Sequence, residues 1–122
     1  MLKEYRARAD GCLRRRHYLD DALELFVWLE AAGTIVSFQL CYDRLGRERA
    51  ITWRVDGGFE HDSLDAGDET PTKNRTPLAH PIADDIPFAR LLAEFDGRSG
   101  SMDVEIREAV RQRLLAELGS GQ

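Results

Sequence analysis

The sequence predicts an α+β domain: an antiparallel sheet of four to five strands in the N-terminal two-thirds, with two C-terminal amphipathic helices packed on one face. Three observations predict it. Apolar and polar residues alternate from Leu23 to Val55, short glycine-containing turns punctuate that stretch, and after residue 84 apolar residues recur at helical spacing. With 122 residues, 43% hydrophobic and 32% charged, the chain has the length and balance of one folded domain, residues 1–122.

Residues 1–64 read as mostly β. Asp10-Gly11 marks a turn between EYRARA and CLRRRHYL, which predicts a ragged N-terminal hairpin. LELFVWLE, TIVSFQLCYD and RAITWRV then give three strands joined through turns containing Gly33 and Gly46. Residues 20–31 also fit a helix opened by Asp20 and Asp21, but Phe26, Val27 and Trp28 favour a strand. Asp56-Gly57-Gly58 calls for a positive-φ turn, with Phe59 to Leu64 returning as a shorter strand.

Period two assigns the faces. Leu23, Leu25, Val27, Leu29, Val36, Phe38, Leu40, Tyr42, Ile51, Trp53 and Val55 form the core face. Glu24, Phe26, Trp28, Glu30, Ser37, Gln39, Cys41, Thr52 and Arg54 form the other, which is polar except for two large aromatics. Residues 65–84 hold three of the four prolines and little apolar periodicity, the pattern of an irregular loop. Helices are expected over 85–96, capped by Asp84 or Asp85, and over 101–118, capped by Ser101 and carrying Met102, Ile106, Val110, Leu114 and Leu118 every fourth residue.

Composition narrows the functional classes. No stretch reaches the roughly 18 apolar residues of a transmembrane helix, and the N-terminus has no apolar signal core, so a cytoplasmic setting without membrane contact is expected. Cys12 and Cys41 show no CxxC spacing, which suits reduced thiols. Only Lys3 and Lys73 are lysine among the 17 basic residues, a skew typical of GC-rich bacterial codon usage. Net charge is −5, unevenly spread: Lys3, Arg6, Arg8, Arg14, Arg15 and Arg16 crowd the start, and Asp56, Glu60, Asp62, Asp65, Asp68 and Glu69 the middle.

Several constellations bear on chemistry. His61, Asp62, Asp65 and His80 supply the imidazoles and carboxylates of an acid–base pair or metal site, yet their spacing matches no known cage and lacks the EF-hand pattern. No GxSxG elbow, GxGxxG or P-loop occurs, so no cofactor is expected and the balance leans away from catalysis, with a small-molecule or metal-dependent enzyme using the loop from His61 to His80 as the alternative. The N-terminal arginines, with Tyr5, His17 and Tyr18 among them, suit phosphate contact and base stacking, but a pI near 5.2 and the lack of an RNA- or DNA-binding signature argue against nucleic acid. Phe26 and Trp28 projecting among Gln39, Thr52 and Arg54 make an aromatic patch of the kind that marks an interface. The sequence therefore points to a non-catalytic binding module that forms a homodimer through that face.

Overall fold

In a computed structural model, which describes residues 1–65, 78–83 and 85–119, the chain forms an antiparallel sheet followed by two helices. For Arg6, Asp65 and residues 78–80 the backbone alone is described. The strands are β1 (Lys3–Asp10), β2 (Leu13–Leu19), β3 (Glu24–Leu29), β4 (Ile35–Tyr42), β5 (Arg49–Arg54), β6 (Gly58–Asp65) and β7 (Leu78–Pro81). They run as a meander, each paired with the next, in the order β1-β2-β3-β4-β5-β6-β7. Helices α1 (Phe88–Arg98) and α2 (Val104–Gly119) complete the domain. No described helix is long and apolar enough to cross a membrane.

Alternation dictates the layers. Leu25 and Val27 on β3, Phe38, Leu40 and Tyr42 on β4 and Ile51 on β5 point to one side and are buried. There they meet Leu91, Leu92 and Phe95 of α1, Met102 just before α2, and Ile106, Val110 and Leu114 of α2. A side chain such as Phe38, with no exposed surface, contributes about 3–5 kcal/mol as judged by truncation to alanine. Every fourth residue of α2 faces inward, as its sequence spacing requires.

The sheet has seven strands where four to five are expected. Both arms of the N-terminal hairpin join it, and residues 78–81, expected within an irregular loop, form β7. A four-residue strand ending in proline fits only an edge, where the missing N–H costs no ladder bond. Residues 66–77 of that expected loop lie outside the described residues.

Two face assignments change. Trp28 pairs with Ser37 but Leu29 with Ile35, so Val36 is an extra residue in the ladder. This bulge turns Ile35, not Val36, into the core. Val55 lies just beyond β5 and is 63% exposed. A second irregularity, between Tyr5 and Arg8, brings those two residues to the same face of β1 as His17 and Arg15 of β2.

The turns behave as their glycines require. Gly11, Gly33 and Gly58 adopt φ of 66°, 98° and 72°, the region that L-residues with a Cβ avoid. The helix caps differ from expectation. Pro87 precedes α1 with no side-chain cap, although its fixed φ suits a helix start. Asp103, not Ser101, caps α2: its Oδ1 accepts the Glu105 and Ile106 N–H groups at 2.9 and 3.3 Å.

Candidate functional site

With both helices on one side, the other face of the sheet carries the residues of interest. Register sets His17 opposite Phe26 and Arg15 opposite Trp28. The His17 ring lies nearly parallel over Phe26, centroids 4.4 Å apart, and Tyr5 follows at 5.3 Å from His17. Trp28 continues the row 6.2 Å from Phe26. The Arg15 guanidinium sits 5.1 Å from the Phe26 centroid, a cation–π arrangement. Trp28 Nε1 donates to Asp10 Oδ2 at 2.7 Å, so the indole is held in place while its ring edge stays half-exposed. Phe26 and Trp28 are thus shielded sideways by neighbours of the same face, and no described helix lies over them.

Beside this aromatic row lies an open concavity of about 570 Å³. Trp28, Gln39, Thr52 and Arg54 line it, together with Glu60 and Asp62. Four of the five residues that the sequence places on a binding face therefore share one cavity wall, and Phe26 flanks it. Cross-strand register explains the grouping: Gln39 faces Thr52, and Thr52 faces Glu60. Gln39 Nε2 donates to Thr52 Oγ1 at 3.2 Å, and Arg54 pairs with Glu60 at 3.2 Å. Both ends of that ion pair are at least half exposed, so it orients the side chains more than it stabilises the fold.

Charge is unevenly spread across the face, with Asp10 beside Trp28 and Arg54 beside Glu60. Arg8 and Arg15 occupy β1 and β2, whereas Glu60 and Asp62 occupy β6. Among the described residues no ion pair joins the two groups, because β3, β4 and β5 separate them.

The polar set His61, Asp62, Asp65 and His80 is divided by strand alternation. His61 faces the core, 7% exposed, against the Tyr42 hydroxyl, to which it is hydrogen-bonded. Asp62, its neighbour on β6, faces the open side of the sheet. The side chains of Asp65 and His80 lie outside the described residues. The N-terminal arginines divide likewise. Arg16 turns to the helix side and makes a two-point contact with Glu4, at 2.6 and 2.7 Å, and an ion pair with Asp103 at 3.6 Å. Arg15 turns to the open face. One continuous basic stripe does not form from Arg14, Arg15 and Arg16.

Sequence reasoning missed a cluster at the other end of the open face. Glu24 and Cys41 are directly paired across β3 and β4, and Glu48 reaches them from the β4–β5 turn. One ligand atom from each lies within 4.8 Å of the others. Burial pushes the Cys41 thiol up to about 12, and burial also raises Glu48 above the usual carboxylate range. His17 Nε2 is 2.8 Å from Glu24 Oε2 and holds that carboxylate. The β3–β4 alternation already places Glu24 and Cys41 on one face, but nothing local announces that a turn glutamate folds back to join them. Compared with known proteins, the chain matches no family model, no curated protein and no solved structure.

Proposed function

We propose that this chain is a non-catalytic binding module that pairs with a second copy of itself through the open face of the sheet. The observation that carries the reading is an aromatic pair, Phe26 and Trp28, on a sheet face that no described helix covers, with Arg8 and Arg15 toward one edge and Glu60 and Asp62 toward the other, although Asp10 beside Trp28 and Arg54 beside Glu60 mix the charge at each end. Under a two-fold axis such a surface is self-complementary, since the arginines of each copy meet the acids of the other. The area supports it as well. Seven strands at about 4.8 Å spacing and about six residues each span roughly 600 Å² before side-chain relief, close to the roughly 800 Å² per partner of a stable interface.

Half-exposed aromatics at the centre of such a face are the residues that carry binding energy. Trp28→Ala should weaken the dimer about tenfold or more while leaving far-ultraviolet circular dichroism unchanged. Native mass spectrometry over a range of protein concentrations checks this. A Trp28→Ala protein as dimeric as the wild type contradicts the interface, and a mass increment matching a small molecule on a monomer redirects the reading to a ligand in the 570 Å³ concavity.

A further inference from the structure

We infer that Glu24, Cys41 and Glu48 form a binding site for a thiophilic divalent cation, zinc above all, independent of the self-association proposed above. The donor set is the first ground. Two carboxylates and a thiol, from β3, β4 and the turn after β4, face one another with ligand atoms within 4.8 Å. Zinc bonds of about 2.0–2.3 Å to oxygen and sulfur require ligand atoms roughly 3.3–3.8 Å apart in a tetrahedron. Small side-chain rotations of the two glutamates close that gap without moving the strands. Sulfur selects zinc over magnesium or calcium, which take oxygen alone.

The second ground is the buried thiol. Cys41 is 3% exposed, and among the described residues its thiol has no hydrogen-bond partner. Glu48 forms a long ion pair with Arg44, whose Nε stands 3.9 Å from its Oε2. That distance exceeds a hydrogen bond and leaves the carboxylate lone pairs available. Arg44 also donates Nη1 to the Asp20 carbonyl at 3.0 Å, while the Nε facing Glu48 is buried without a hydrogen-bond partner among the described residues. The two part-buried carboxylates repel one another, an effect that Arg44 offsets only from 3.9 Å and that a dication between them would remove. An all-polar cluster of this kind has no packing role that three apolar residues of similar volume would not fill better.

The third ground is support from outside the ligand set. His17 hydrogen-bonds Glu24 Oε2 at 2.8 Å and is itself fixed against Phe26, so Glu24 is oriented with its other oxygen free. Ligating carboxylates are in turn hydrogen-bonded by outer-shell groups, the part His17 would take toward Glu24. Binding would proceed as Cys41–SH plus Zn²⁺ giving Cys41–S–Zn, with the thiol proton released to solvent and no change of oxidation state. Glu24 and Glu48 supply oxygens, and water completes the fourth position.

The test uses the full chain in a Cys12→Ser background, so that the exposed Cys12 thiol cannot report. Cobalt(II) titration followed by optical absorption, with zinc competition, reads the site directly. The expected result is one equivalent of cobalt with a sulfur-to-cobalt charge-transfer band, displaced by zinc. Cys41→Ser should abolish the band. Glu48→Gln, at a turn position that the core does not use, should weaken binding at least about tenfold, and His17→Ala about 10- to 100-fold through the loss of Glu24 orientation. Absence of the band, or cobalt affinity unchanged in Glu48→Gln and Cys41→Ser alike, overturns the assignment. Self-association is read separately by mass, so the two proposals fail independently.

Discussion

Asp20 shows how one side chain ties three parts of this fold together. It sits between β2 and β3, 5% exposed, and its Oδ1 accepts the N–H groups of Ala22 and Leu23 at 2.8 Å each. Its Oδ2 meets Arg98, the last residue of α1, at 3.0 Å. Burial opposes its charge, but the hydrogen bonds from Leu23, Ala22 and Arg98 outweigh burial and hold the carboxyl down at about 2, against an ordinary value of 3.8. The sign follows. Because the folded value is depressed, ionised Asp20 stabilises the fold above pH 3.8, and that contribution is lost as pH falls through about 2. Asp20→Asn should cost on the order of 2 kcal/mol near neutral pH, and urea melts should show the gap to wild type shrinking toward pH 2. A gap independent of pH would assign the cost to shape instead of charge.

At the scale of elements, alternation and bulges divide the labour. The core face of β3, β4 and β5 was legible because a sheet with one wet face must alternate, and Leu25, Val27, Phe38, Leu40 and Ile51 obey. Val36 misleads because one inserted residue shifts the period without leaving a compositional mark. The same blindness hid the shift that puts Arg8 beside Arg15. Of the candidate site, Trp28, Gln39, Thr52 and Arg54 were legible since they lie on regular strands, whereas Glu48 lies in a turn whose direction depends on tertiary packing. Deleting Val36 should remove the bulge yet leave Ile35 opposite Leu29 on the core side, so a denaturant melt should show a loss under about 2 kcal/mol. Phe38→Ala should cost about 3–5 kcal/mol, while Trp28→Ala, half-exposed, should cost under about 2. Equal losses at Phe38 and Trp28 would mean that the open face is packed as tightly as the helix-covered one.

For the molecule as a whole, two layers use one sheet twice. Its first face is covered by α1 and α2, and its second presents aromatic side chains with Arg8 and Arg15 toward β1 and β2 and Glu60 and Asp62 on β6, Asp10 and Arg54 being interspersed. A net charge of −5 would disfavour self-association if it were evenly spread; under the proposed pairing, Arg8 and Arg15 of each copy would meet Glu60 and Asp62 of the other. That attraction is screened by salt, so dimer affinity should fall as ionic strength rises past about 0.15 M. The most direct measurement is sedimentation of two charge-reversed variants, Arg8→Glu/Arg15→Glu and Glu60→Lys/Asp62→Lys, each alone and then mixed. Paired zones predict a dimeric wild type, two monomeric variants and a dimer restored on mixing; a monomeric wild type, or variants that dimerise as well alone as the wild type does, would contradict pairing through this face.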